Sequence, residues 1–150
     1  MIIRTAHFGD VEYDREKRIL FEKGLPGLEK DTEFALLSQP DNDPICWMQS
    51  LIHPQICLPV LNPFLVCPTY TFDISDTATA ELPIKEPKDV CILSVLVIPR
   101  GNPGAMTINL AAPVIFNIKN RKGRQIVLND KNYTTRTPVG DLIAKAKAVE

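Results

Sequence analysis

The sequence predicts an all-β fold, a compact barrel-like or sandwich arrangement of many short strands with one or two short helices, one of them C-terminal. Thirteen prolines are spread along the 150 residues, and because a proline inside a helix removes a backbone hydrogen bond, few segments permit a long helix. Apolar and polar residues alternate in short runs separated by glycine, proline, asparagine and aspartate, a pattern typical of strands and turns. A chain of this length without a linker-like segment predicts one domain, residues 1–150.

Strand-like segments follow one another along the chain. The run Val90–Ile98 is apolar at both alternating sets of positions, which predicts a central strand buried on both faces. Val114–Lys119 and Arg124–Leu128 predict a hairpin, whose polar turn contains Gly123, a residue able to adopt positive φ. The other predicted strands are Ile2–Phe8, Val11–Tyr13, Ile19–Glu22, Glu33–Ser38, Ile45–Leu51, Gln55–Pro59, Thr69–Ile74 and Met106–Asn109.

Two segments have helical signals. Ser75 is a favourable N-cap for a short helix over Thr77–Leu82. Near the C-terminus, Thr137 is predicted as an N-cap and Pro138 as the first helical residue. In a helix over the residues that follow, apolar side chains would lie on one face and two lysines towards the C-terminal end. The apolar residues are Val139, Leu142, Ile143 and Ala146, and the lysines are Lys145 and Lys147.

The segment Gly24-Leu25-Pro26-Gly27 predicts a tight turn. Pro26 fixes its own φ, and Gly27 can adopt the positive φ that a type II turn requires. The segment lacks the lysine and hydroxyl residues of a phosphate-binding loop. A structural role is therefore favoured.

Charge is unevenly distributed although the net charge is only −1. Residues 1–44 carry ten acidic and six basic side chains, whereas residues 117–150 carry three acidic and eight basic ones. Such a basic segment is compatible with nucleic-acid contact. The domain as a whole is not basic, which favours a solvated hairpin and an ordinary charged helix.

Residues suited to catalysis or metal binding are sparse. No nucleophile lies in a G-x-S-x-G turn, and a zinc site built from His53, Cys57 and Cys67 would lack paired ligand spacing. The four cysteines are therefore interpreted as small buried side chains in a reducing compartment. The early charge at Arg4 and the short apolar runs predict a cytoplasmic protein without a signal peptide or membrane span.

Short motifs follow one another from Phe21 to Arg136. They are FEKGLPGLE from Phe21 to Glu29, WMQS from Trp47 to Ser50, Asn62-Pro63, Lys88-Asp-Val90, NLAAPVIFN from Asn109 to Asn117, Gly123-x-Gln125 and Tyr133-x-Thr-Arg136. In this order and spacing they resemble the family of the flagellar assembly factor FliW. Leu28 stands where that family usually has phenylalanine, Trp47 occupies an aliphatic position, and the tail after Arg136 matches poorly.

The resemblance implies a non-enzymatic protein that binds flagellin in the cytoplasm. When free of flagellin, it would bind CsrA, a translational repressor of flagellin mRNA, and so relieve repression, partly through negative potential that repels RNA. The resemblance implies no cofactor or metal, no direct nucleic-acid or membrane partner, and a monomer when free. The motif residues that we expect to contact partners are Trp47, Gln49, Asn62, Pro63, Asn117, Tyr133 and Arg136.

Two other classes of function compete with this interpretation. One is a direct RNA-binding β-barrel that would use the basic residues Lys119, Arg121, Lys122, Arg124 and Lys131. No aromatic residue is interleaved with that cluster, whereas single-strand binders usually provide stacking rings. The other is a small hydrolase, for which the sequence offers no convergent acid, base and nucleophile.

Overall fold

β-Sheet dominates the fold. The computed structural model describes residues 1–39, 41 and 44–149, which form eleven strands and two α-helices. The strands are β1 (Ile2–Thr5), β2 (Gly9–Glu12), β3 (Ile19–Leu20), β4 (Glu33–Ser38), β5 (Cys46–Ser50), β6 (Cys57–Leu61), β7 (Val90–Val97), β8 (Thr107–Ile108), β9 (Val114–Asn117), β10 (Gly123–Gln125) and β11 (Thr137–Pro138). The helices are α1 (Asp76–Glu81) and α2 (Val139–Val149). The prediction of a β-rich fold with a C-terminal helix is confirmed.

Nine strands form one sheet with antiparallel pairing. Its main path runs β10-β9-β7-β6-β5-β4-β3, while β8 pairs with β7 and β11 pairs with β8. Strands β1 and β2 form a separate hairpin. Strand β3 meets the turn before β10 at an isolated parallel bridge between Leu20 and Lys122, but within the described part of the chain no ladder joins the two end strands. The sheet is therefore not closed, and the predicted barrel-like shape describes it only loosely.

The main core lies on the inner face of this sheet. Phe21 and Phe34 pack edge to face with their ring centroids 5.5 Å apart, an arrangement that aromatic pairs prefer. Strand β7 is central as predicted, with β6 on one side and β8 and β9 on the other. The buried side chains of this core are Ile19, Phe21, Leu25, Phe34, Met48, Val60, Leu93, Val114 and Phe116.

The β9–β10 hairpin is confirmed, but its turn differs from the prediction. Arg121, and not Gly123, adopts positive φ, at 64°. Gly123 belongs to β10, where a Cβ atom would lie 2.9 Å from the Phe21 ring and from the carbonyl oxygen of Ile115. Glycine is therefore required there because the chain passes very close to the core.

The strand predicted over Thr69–Ile74 is wrong. This segment joins no ladder, and its alternating pattern arises from packing. Tyr70 is buried and its hydroxyl donates to the carbonyl of Leu110 over 2.6 Å. Phe72 and Ile74 pack against a second group of buried residues beneath α1. Alternation of this kind predicts burial of every second side chain, which does not require a strand partner.

Both helices form, although one begins later than predicted. Ser75 caps α1 by accepting a hydrogen bond from the backbone of Ala78. Thr137 is not an N-cap: it pairs with Ile108 in β11, and its hydroxyl lies 2.6 Å from that of Thr134. In α2, Val139 is buried and Leu142 packs on the core, whereas Ile143 is 41% exposed. The side chains of Ala146 and Lys147 lie outside the described part of the chain.

The tight turn at Leu25–Leu28 is confirmed. The amide of Leu28 donates to the carbonyl of Leu25 over 2.7 Å, and Gly27 has a φ of +84°. Gly24, directly before the turn, also has positive φ, at +66°. Glycine is therefore favoured at both positions, because other residues rarely adopt positive φ.

Candidate partner-binding surfaces

A serine, a histidine and an aspartate converge where the β5–β6 loop meets the segment after the tight turn. The Ser50 hydroxyl donates to the Asp31 carboxylate over 2.5 Å, and Nδ1 of His53 lies 2.7 Å from the same oxygen. The Ser50 oxygen accepts from the backbone amides of Ile52 and His53. In a catalytic triad, histidine stands between serine and aspartate; here aspartate stands between the other two. The cluster therefore braces the loop and does not activate the serine.

Three of the seven candidate contact residues are buried. Gln49 is 0% exposed, and its side-chain amide donates to the carbonyls of Ser50 and Pro54. Asn117 is 2% exposed, donates to the carbonyl of Leu82 and accepts from the amide of Lys119. Pro63 is also buried, and its carbonyl accepts from the amides of Val66 and Cys67. These contacts give each residue a structural role, and direct partner contact by them stays a prediction.

The other four candidates reach the surface at least in part. Asn62 caps a short 3-10 turn by accepting from the amide of Phe64. The Tyr133 hydroxyl accepts from the amide of Thr71, and its ring packs edge to face on Tyr70. Arg136 is exposed. Asn62 and Tyr133 are connected through the neighbouring rings of Phe64 and Tyr70, and partner contact by any of these four residues stays a prediction.

Trp47 is half-buried beside a mainly apolar groove. Its ring packs edge to face on Phe8 with centroids 5.5 Å apart. The groove continues across β6 and the end of β7, where Val97 is 51% exposed. Its further lining includes Pro59, Ile98, Pro99, Arg100 and Pro103. Tryptophan is enriched in the energetically important parts of protein interfaces, so this groove is one candidate contact surface.

The basic hairpin makes contacts within its own chain. Lys119 lies 3.2 Å from the buried carboxylate of Asp89, and Arg121 donates to the carbonyl of Lys17 and lies over the Phe116 ring. Two further ion pairs, Lys122–Glu22 at 3.5 Å and Arg124–Glu81 at 2.7 Å, complete the set. Lys131, the remaining basic candidate, is exposed and lies outside the hairpin. Cations engaged in this way are less available to a phosphate backbone, which disfavours the RNA-binding alternative.

The cysteines are free thiols in part-buried positions. Burial raises the pKa of Cys57 to about 11 and also raises the pKa of Cys91. Because the thiolate is the reactive and metal-binding form, these two are poorly suited to either role. Among the described residues, no group of three or more histidine, cysteine and acidic side chains is arranged to hold a metal ion. Within the same residues, no helix combines the length and apolarity needed to cross a membrane.

Comparison with known proteins identifies the family. A family model described as "FliW protein" matches residues 2–139. The chain belongs to the FliW family. A flagellar assembly factor FliW from Pseudothermotoga lettingae is 38% identical over 149 residues, covering 99% of this chain and 94% of that protein. The FliW of Bacillus subtilis is 34% identical over 140 residues, covering 93% and 97% of the two chains.

A solved FliW structure has the same fold. The crystal structure of a flagellar assembly factor FliW superposes with a TM-score of 0.85 at 31% sequence identity, covering 93% of this chain and 96% of the other. The FliW-like motifs named above lie mainly at positions that build the fold: Phe21 in the core, Gly24 and Gly27 in the tight turn, and Gln49 and Asn117 in buried hydrogen bonds. The motifs explain the shared fold more directly than they locate a contact surface.

Proposed function

We propose that this protein binds flagellin in the cytoplasm and, when free of flagellin, binds and antagonises CsrA, so relieving repression of flagellin mRNA translation. It acts without catalysis, cofactor or metal, as a monomer when free, and makes no direct contact with nucleic acid or membrane. The observation that carries the proposal is membership of the FliW family over nearly the full chain, residues 2–139.

The surface charges support a protein partner over an RNA partner. Four cations of the basic hairpin are engaged by carboxylates, a carbonyl and an aromatic ring of the same chain. On β2 and the turn after it, the acidic side chains Asp10, Glu12, Asp14 and Glu16 are exposed. Negative charge placed near an RNA-binding partner lowers the affinity of that partner for RNA through space.

Direct binding measurements test the proposal. The protein should bind purified flagellin and purified CsrA separately, and excess flagellin should reduce its binding to CsrA. A labelled flagellin mRNA leader should not bind the protein alone at physiological salt. Failure to bind either protein, or tight RNA binding by the protein itself, would refute the proposed function.

A charge variant tests the electrostatic part alone. Neutralising Asp10, Glu12, Asp14 and Glu16 together should weaken RNA displacement from CsrA more than it weakens CsrA binding. The difference should shrink as salt rises, because exposed charges more than ~8 Å apart are largely screened at about 0.15 M salt. Equal displacement by wild type and variant at every salt concentration would exclude this mechanism while leaving partner binding intact.

A further inference from the structure

Within the part of the chain that the structure describes, the outer edge of β4 lacks a strand neighbour along most of its length. Strand β3 pairs only with Glu33 and Phe34, whereas β5 pairs with Phe34 through Ser38. The amide of Leu51 donates to the carbonyl of Glu33, and backbone groups alternate in direction along an antiparallel strand. The backbone groups of Leu36 and Ser38 therefore point away from β5, into the space beside this edge.

The sequence does not protect this edge. Natural sheets blunt exposed edges with lysine, proline or bulges because an open edge pairs readily with another chain. Residues Ala35, Leu36, Leu37 and Ser38 include neither a charge nor a proline, and their pairing with β5 is regular. The edge is thus suited to accept a further strand.

A groove of about 280 Å³ runs beside this edge, and a second strand forms its other wall. Val11, Glu12, Tyr13 and Asp14 line it opposite residues 35–39. Among the described residues, β2 has a strand partner only in β1. This volume is just below the ~300–1,000 Å³ usual for small-molecule pockets. A strand lying in the groove would extend the main sheet towards the β1–β2 hairpin.

The rim of the groove is acidic on its β2 side. Glu12 and Asp14 are exposed, and neither forms an ion pair within the described part of the chain. Among the described residues that line the groove, Lys17 is the one cation, and Arg121 lies near enough to Asp14 to interact with it electrostatically. The two carboxylates favour an occupant that brings positive charge to this wall.

We propose that the β4 edge is a strand-addition site that binds an extended protein segment carrying lysine or arginine. The partner's main chain bonds to the outward groups of Leu36 and Ser38, and its cation lies against Glu12 and Asp14. This mode of recognition takes affinity from backbone hydrogen bonds and specificity from alternate side chains. The inference rests on the proposed function for the identity of the natural partner.

Hydrogen exchange on the full-length protein locates the contact. Amide exchange at Leu36 and Ser38 should slow by about 10-fold or more when flagellin or CsrA is bound, since a new backbone hydrogen bond protects an amide. Binding of both proteins without protection at these two amides would overturn the inference and leave the proposed function standing. If neither protein binds, the proposed function fails, and a short peptide of alternating lysine and valine becomes the probe. Shifts of the same amides with this peptide, and not with its N-methylated form, would support the site; their absence would overturn it.

Two pairs of variants provide matched controls. Ser38→Pro removes the outward amide without breaking a β5 bond and should weaken binding by about 2- to 10-fold, as loss of one hydrogen bond predicts, whereas Ser38→Ala should bind normally. The double variant Glu12→Gln/Asp14→Asn should weaken binding at low salt by about 2- to 10-fold. The control Asp10→Asn/Glu16→Gln changes charge equally but lies outside the groove lining, and it should have less effect. Equal effects of the two charge variants, together with normal binding by a folded Ser38→Pro protein, would overturn the inference.

Discussion

Gly24 and Gly27 both adopt positive φ, but their surroundings differ, so alanine substitutions should have different costs. At Gly27 an added Cβ would have nothing within 4 Å. Gly27→Ala should therefore lower the unfolding free energy only by the cost of placing alanine at positive φ, about 1–2 kcal/mol. That loss is reduced by ~0.4–1 kcal/mol because alanine restricts the unfolded chain. We expect a net loss of about 0.5–1.5 kcal/mol of unfolding free energy.

At Gly24 the added Cβ would lie 2.5 Å from Cα of Glu29 and 2.6 Å from the carbonyl oxygens of Glu29 and Leu28. These are backbone atoms, which cannot move aside as a flexible side chain would. Overpacking should add about 1–3 kcal/mol to the same net conformational loss of about 0.5–1.5 kcal/mol, giving a total of about 1.5–4.5 kcal/mol. At roughly 2–4 °C per kcal/mol, Gly24→Ala should lower Tm by about 3–18 °C and Gly27→Ala by about 1–6 °C.

Urea and thermal unfolding followed by circular dichroism would measure both losses. Gly101→Ala is the matched control, because Gly101 has a φ of +76° and open space around its Cβ position; it should behave like Gly27→Ala. If Gly24→Ala costs no more than these two, the close approach at residues 28–29 does not constrain position 24, and the reasoning is refuted.

Three further predictions concern groups that are buried or closely packed. Ser50→Ala should lower the unfolding free energy by about 1–3 kcal/mol, because it removes both a donor and an acceptor. Ser94→Ala deletes a buried hydroxyl that has no partner among the described residues, so it should leave the unfolding free energy nearly unchanged. Equal losses of the two variants in urea unfolding would contradict this. Cys57 should react slowly with a thiol reagent at pH 8 and faster as the pH approaches its pKa of about 11. Rapid labelling of the folded protein at pH 8 would show that the Cys57 thiol is not shielded. Gly123→Ala should destabilise the fold by about 1–3 kcal/mol because its Cβ would lie 2.9 Å from three neighbouring atoms, and an unchanged Tm would show that the β9–β10 hairpin can move away from the core.

A local sequence pattern predicts a strand correctly where the residues that form the pattern also pair with a neighbouring strand. Strand β4 matches its predicted bounds, and the apolar run at Val90–Ile98 contains the central strand β7. The same reasoning failed for Thr69–Ile74, because alternation reports side-chain burial and not the presence of a neighbouring strand. The N-cap prediction at Thr137 is wrong because the Thr137 backbone pairs with β8, a contact between residues far apart in sequence.

Contacts between residues far apart in sequence explain why the candidate surfaces could not be predicted from local patterns. Asp31, Ser50 and His53 are separated by up to 22 residues, and no spacing rule joins them. Gly123 is constrained by Phe21, more than a hundred residues earlier. The Gln49 and Asn117 side chains lie in polar-looking motifs yet are buried, because each satisfies backbone groups of a neighbouring loop.

The bridge between Leu20 and Lys122 has a consequence for how the chain folds during synthesis. Strand β3 is made early, but its contact across the seam of the sheet is supplied by the turn before β10, about a hundred residues later. Contacts of such large sequence separation are costly to close and form slowly. We therefore expect a nascent chain that ends before residue 122 to keep this side of its core exposed. In this period, before the molecule is able to act on any partner, it should depend most on chaperones.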